Sequence, residues 1–133
     1  SVWRLKISMG SKSGICLIDD DAAVRDALVL FLEIYGYSVI AFESAEAFLS
    51  GGYAGNPGVL VLDIRLPGMS GIELQTELRN RKDDIPIIFI TGHGDDEIRK
   101  SVTQEGIIDF IEKPIDHGAL LKCIETTLSR AAS

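Results

Sequence analysis

The chain has 133 residues, 46% of them apolar, and a formal net charge of −7 at pH 7. That length holds one domain with a real core and not two, and the apolar content excludes a disordered chain. The acidic balance argues against nucleic-acid or anionic-membrane binding by this domain, and no apolar run approaches a membrane span or a signal peptide. Cys16 and Cys123 have neither metal-ligand spacing nor the density of a disulfide scaffold, and read as reduced thiols of a cytoplasmic protein.

Residues 1–13 stand apart. Val2-Trp3-Arg4-Leu5-Lys6-Ile7 alternates as a short edge strand would, and residues 8–13 read as a flexible linker. We expect a tail without function there, the domain itself over residues 14–130, and a linker start or terminus at 131–133. Gly14-Ile15-Cys16-Leu17-Ile18 is a short apolar run that ends on Asp19-Asp20-Asp21. Asp21 can cap a helix in which Val24, Leu28, Phe31, Leu32 and Tyr35 recur at three and four, with Gly36 as its stop. Residues 37–42 form the second strand, and Ser44 caps a short helix through Leu49. Gly51, Gly52, Gly55, Asn56, Pro57 and Gly58 make the next loop.

Val59-Leu60-Val61-Leu62-Asp63 is apolar without alternation, the pattern of a strand buried on both faces of a parallel sheet. It ends on a carboxylate, and Pro67-Gly68-Met69-Ser70-Gly71 force a loop behind it. Ser70 and Glu73 have capping-box spacing for a helix with Ile72, Leu74 and Leu78 on its apolar side. Residues 85–90 are the fourth strand, followed by Thr91-Gly92-His93-Gly94. Asp95 or Asp96 begins a weak helix to about Glu105, with Ile98 and Val102 as its main apolar residues. Residues 107–111 are the fifth strand, ended by Lys113-Pro114, and a last helix carries Leu120, Leu121, Ile124 and Leu128.

Strands alternating with helices predict a doubly wound α/β fold: a five-stranded parallel sheet with five helices covering both faces. The flavodoxin-like order 2-1-3-4-5 is the common solution. Its carboxyl edge, where open α/β sheets bind ligands, then gathers Asp19, Asp20, Asp63, Thr91 and Lys113.

Two carboxylates ~5 Å apart repel by roughly 3 kcal/mol at an effective dielectric near 20, so such a cluster needs a cation. Oxygen ligands without His or Cys select a hard ion, Mg²⁺ or Mn²⁺. Asp20, Asp63 and a loop carbonyl, that of Arg65, would hold it, with Asp19 acting through water. The remaining groups suit a transferring phosphoryl. Asp63 is the nucleophile, Lys113 a point charge for a phosphoryl oxygen, and Thr91 a hydroxyl donor. No side chain of the set is a credible general base, so an aspartyl-phosphate should hydrolyse slowly, which suits a switch better than a turnover enzyme. Taken singly, each residue has a plainer reading as a cap, a solvated strand end, a turn residue or surface charge. Their joint placement carries the argument.

Several motifs stand in unbroken order over about residues 14–130: Leu17-Ile18-Asp19-Asp20-Asp21, then Val61-Leu62-Asp63-Ile64-Arg65-Leu66-Pro67-Gly68-Met69-Ser70-Gly71, then Ile90-Thr91-Gly92-His93-Gly94 and Asp109-Phe110-Ile111-Glu112-Lys113-Pro114. With these the chain resembles the receiver domain of two-component response regulators, whose fold is flavodoxin- and CheY-like. The last two motifs look most like the FixJ-type subgroup, which usually carries a LuxR-type DNA-binding domain after the receiver. The resemblance implies that Asp63 is the phosphoacceptor, that Asp19 and Asp20 are the Mg²⁺ pair, and that Thr91, Lys113 and Phe110 are the switch hydroxyl, the phosphate-binding lysine and the aromatic switch. It implies a phosphohistidine donor on a sensor histidine kinase, a cis Lys113–Pro114 bond, and an output face of helix 4, strand 5 and helix 5 that serves a homodimer or an output domain. Phe110, unlike a tyrosine, would be drawn inward by burial alone. Ile107 and Ile115 depart from the usual Ala and Phe beside that face. Arg65 and His93 occupy positions that influence dephosphorylation in the family, and either is an exposed loop residue or crowds the attacking water.

Three rivals remain. A haloacid-dehalogenase-type phosphatase needs a second Asp where Arg65 stands. A nucleotide binder needs a phosphate-cradling loop where Asp19-Asp20-Asp21 would repel phosphate. A receiver-shaped interaction module that takes no phosphate has no need of the acidic pair, Asp63, Thr91 and Lys113.

Overall fold

The continuous apolar runs become the strands of one parallel sheet. The computed structural model describes residues 12–51, 57–102 and 106–131. In chain order these form β1 (Lys12–Ile18), α1 (Ala22–Ile34), β2 (Tyr37–Phe42), α2 (Ala45–Ser50), β3 (Val59–Asp63), α3 (Gly71–Asn80), β4 (Ile87–Thr91), α4 (Asp96–Ser101), β5 (Ile107–Glu112) and α5 (His117–Ala131). The five-stranded sheet has the order β2-β1-β3-β4-β5, all pairs parallel. The expected tail, apart from its last residues, the glycine-rich segment at 52–56 and residues 103–105 lie outside the described residues.

β3 and β4 are buried along their whole length, as runs without alternation require. Alternate side chains feed opposite cores. On one side Ile18, Leu60, Leu62, Ile87 and Phe89 pack with Phe48 of α2 and with Leu74 and Leu78 of α3. On the other, Leu17, Val59, Val61, Ile88 and Ile90 pack with Leu28 and Leu32 of α1 and with Leu120 and Ile124 of α5. Ile98 and Val102 fasten α4 to the first core.

The caps form as the side chains dictate. The Asp21 carboxylate accepts the Ala23 and Val24 amides, and Ser44 Oγ accepts the Ala47 amide at 3.0 Å. Ser70 and Glu73 make the reciprocal capping box, Glu73 N to Ser70 Oγ at 3.1 Å and Ser70 N to Glu73 Oε1 at 3.0 Å.

Element ends differ from expectation for identifiable reasons. β1 begins at Lys12, which pairs with Tyr37, so the strand reaches into the expected linker. β4 starts after Pro86, which has no N–H to give a ladder, and takes in Thr91. β5 continues to Glu112, and α5 runs through Ala131. α4 ends at Ser101, and Val102 after it is extended. Tyr35, expected on the apolar face of α1, instead lies just past its end, 45% exposed and tilted against Phe31. No described helix is long and apolar enough to cross a membrane.

Candidate functional site

Register and strand ends bring the predicted residues to one edge. Asp63 pairs with Ile90, which places Thr91 one step beyond it, and the Lys113 amide donates to the Thr91 carbonyl at 2.7 Å. Asp19, directly after β1, Asp63 and Thr91 are buried, at 1%, 3% and 1% exposure, while Asp20 is exposed. One carboxylate oxygen from each of Asp19, Asp20 and Asp63 lies within 4.8 Å of the others. Lys113 Nζ sits 2.7 Å from Asp63 Oδ2 and 3.7 Å from Asp19 Oδ2. The Lys113–Pro114 bond is cis.

Backbone groups orient the carboxylates. The Arg65 amide donates to Asp63 Oδ1 at 2.9 Å, and the Asp21 amide to Asp19 Oδ1 at 2.8 Å. Arg25 Nη1 donates to the Asp19 carbonyl at 2.7 Å. Gly71 lets α3 approach from behind: a Cβ there would lie 2.5 Å from the Asp63 carbonyl oxygen. Glu46 of α2 accepts the Met69 amide at 2.9 Å, which pins the loop between β3 and α3 and holds the Glu46 carboxyl below its usual range.

Burial, and then the charge of Asp63, hold Asp19 above the ordinary carboxylate range, although the Asp21 amide and Lys113 pull the other way. Burial pulls Lys113 down, but its hydrogen bond to Asp63 and the charges of Asp63, Asp19 and Asp20 outweigh it and raise it. The two shifts have opposite consequences. Lys113 contributes stability at and below the ordinary lysine range that is lost only as pH rises through its raised folded value. Charged Asp19 opposes folding at neutral pH, and that opposition fades as the pH falls and the carboxyl takes a proton. The metal-free Asp19→Asn protein should therefore unfold at a higher temperature than wild type at pH 7, with the gain shrinking toward acid pH. Its stabilisation by added Mg²⁺ should also be smaller. Thermal melts over pH with and without Mg²⁺ read this, and a lower melting temperature at pH 7 without metal would contradict it.

The residues fit a hard divalent cation. Three oxygen donors converge, two of them buried, with excess negative charge that Lys113 offsets only in part. Phe110 is half-buried and stacks on Phe89, centroids 5.8 Å apart and planes within 13°. Arg99 lies 4.6 Å over the Phe110 ring. A guanidinium on its face gives the ring, where it stands, an attraction beyond burial. His93 is exposed, its Nδ1 3.8 Å from Glu112 Oε1.

Sequence reasoning missed Asp95, which it took only as a helix start. Its side chain makes no cap bond. Instead Asp95, 1% exposed, accepts Arg65 Nε at 2.5 Å and the Gly92 amide at 2.6 Å. Burial alone would raise its carboxyl, but these two donors outweigh that and hold it below the usual range. The signal available was opposite charge at Arg65 and Asp95, each just past the end of a neighbouring strand.

Residues 15–125 match the response regulator receiver domain family. The chain is 41% identical over 116 residues to the transcriptional regulatory protein FixJ of Azorhizobium caulinodans, covering 87% of this chain and 55% of that one. Among solved structures, full-length FixJ from B. japonicum is 38% identical with a TM-score of 0.82, covering 91% of this chain and 60% of that one. The response regulator StyR is 42% identical with a TM-score of 0.81, covering 91% and 62%. The chain thus spans little more than half the length of these relatives. With the sheet order, the acidic cluster and these matches in agreement, the chain belongs to the response regulator receiver domain family of two-component signalling.

Proposed function

We propose that this domain, over residues 14–130, is a phosphorylation switch that accepts a phosphoryl group on Asp63 from a phosphohistidine of a sensor histidine kinase. The carrying observation is Lys113 Nζ 2.7 Å from Asp63 Oδ2, inside a cluster of three carboxylates at the carboxyl edge of the sheet. An Asp63 oxygen attacks phosphorus, an O–P bond forms, the P–N bond breaks, and its electron pair returns to the imidazole nitrogen. Lys113 neutralises charge on the phosphoryl oxygens, and the Arg65 amide fixes the attacking carboxylate. Mg²⁺, or Mn²⁺, held by Asp19, Asp20, Asp63 and the Arg65 carbonyl, supplies further charge neutralisation when bound. The reading is of a signalling domain rather than a metabolic enzyme: its own phosphotransfer and slow autodephosphorylation are all the catalysis it performs.

The readout follows as a population shift. Thr91 moves toward the phosphoryl oxygens and Phe110 repacks, altering the face of α4, β5 and α5. Carrying such an equilibrium from about one part in a hundred to near completion takes roughly 5 kcal/mol of differential binding. That face serves a homodimer or an output domain outside this chain, a DNA-binding one if this chain, like its relatives, is part of a transcriptional regulatory protein, in the bacterial cytoplasm. No direct nucleic-acid contact by this acidic domain is needed. Size-exclusion mass with and without a phosphoryl donor tests the dimer, which two monomeric traces would exclude. Borohydride reduction of the phosphorylated protein tests the site: homoserine should appear at position 63 in the peptide masses, and homoserine elsewhere, or none from a phosphorylated sample, would overturn the assignment.

A further inference from the structure

The loops that follow β3 and β4 flank Asp63, and one ion pair ties them together. Arg65 Nε lies 2.5 Å from Asp95 Oδ1, and Asp95 Oδ2 accepts the Gly92 N–H at 2.6 Å. Asp95 is 1% exposed although it stands where an exposed cap of α4 would be expected, and it forgoes the cap bond. Both donors it holds adjoin the proposed machinery. The Arg65 backbone N–H already donates to Asp63 Oδ1, and Gly92 shares a peptide with Thr91.

We propose that Asp95 is a positioning residue that holds the unmodified arrangement: its carboxylate occupies the Gly92 N–H and the Arg65 guanidinium, and this grip must loosen for Thr91 to approach a phosphoryl group on Asp63. The inference rests on the phosphoacceptor reading of Asp63. Its physical basis is shared parts. The Gly92 nitrogen is bonded to the Thr91 carbonyl carbon, so a moving Thr91 pulls that N–H from an acceptor anchored across the mouth by Arg65. A phosphoryl group also brings a charge of about −1.5 to −2 beside Arg65, and its oxygens compete with Asp95 for a planar guanidinium suited to either anion. Asp95 therefore acts against the switch, and the phosphoryl group displaces it.

The test is titration of the protein with beryllium trifluoride, a phosphoryl mimic, in saturating Mg²⁺ by isothermal calorimetry. Wild type should bind, and Asp95→Asn, which keeps an acceptor for Gly92 but loses the charge that grips Arg65, should bind about fivefold or more tightly. A carboxylate that merely stabilised the loop would give equal or weaker binding in the variant, and either result overturns the proposal. Wild type needs no substitution for a second reading. The scalar coupling across the Gly92 N–H to Asp95 carboxylate hydrogen bond should be present in the free protein and vanish with the mimic bound. Its persistence overturns the proposal, while absence of any binding to wild type removes the phosphoacceptor reading itself.

Discussion

Replacing Lys113 by alanine is expected to slow phosphorylation by acetyl phosphate about a hundredfold, the usual scale for deleting one group that stabilises transition-state charge. Mg²⁺ binding should tighten at the same time. Lys113 Nζ touches Asp63 Oδ2 and reaches Asp19 Oδ2, so it is the cation that offsets the acidic cluster in the metal-free protein. Without it the carboxylates repel each other unscreened, at roughly 3 kcal/mol for a pair ~5 Å apart, and they attract a divalent ion more strongly. The same excess charge repels an incoming phosphoryl donor and leaves its oxygens without a partner. Tighter metal and slower chemistry separate this account from simple misfolding, which would weaken both. A time course by intact mass and a Mg²⁺ titration read the two effects, and an unchanged phosphorylation rate would remove Lys113 from the proposed role.

Phe89→Ala is expected to lower unfolding free energy by about 3–5 kcal/mol, the range for emptying a fully buried aromatic site. Phe89 is wholly buried near the middle of β4, and its ring edge lies 3.2 Å from the position a Cβ would take on Gly71. It therefore supports both the first turn of α3 and, through its stack, Phe110. Against typical domain stabilities of about 5–15 kcal/mol, that loss is a large fraction. Urea unfolding at constant slope should show it, and a loss under about 1 kcal/mol would mean that neighbouring side chains refill the space.

The sheet was legible because its strands carry no alternation. Val59–Asp63 and Ile87–Thr91 are buried on both faces, and their alternation with helical segments makes that the pattern of a parallel sheet between helices. The helix starts were legible because Asp21, Ser44 and Ser70 do local chemistry with amides a few residues on. The acidic cluster followed from topology, since each member ends or follows a strand. Asp95 was not legible, because local chemistry offered it a plausible cap and only tertiary structure supplied better donors, one of them thirty residues away in Arg65. The Arg99 contact with Phe110 escaped for the same reason, joining a helix and a strand with no shared sequence signal. The end of β1 at Lys12 lay in a serine- and glycine-containing stretch whose composition says linker, whereas pairing with Tyr37 makes it strand.

The measurement closest to the central claim is intact mass after incubation with acetyl phosphate, with and without Mg²⁺, for wild type and Asp63→Asn. A gain of one phosphoryl group, ~80 Da, is expected in wild type only, and only with Mg²⁺ present. A gain that survives Asp63→Asn, or none in a folded wild type that binds Mg²⁺, would contradict it, and the second result would favour a receiver fold kept for protein contacts alone.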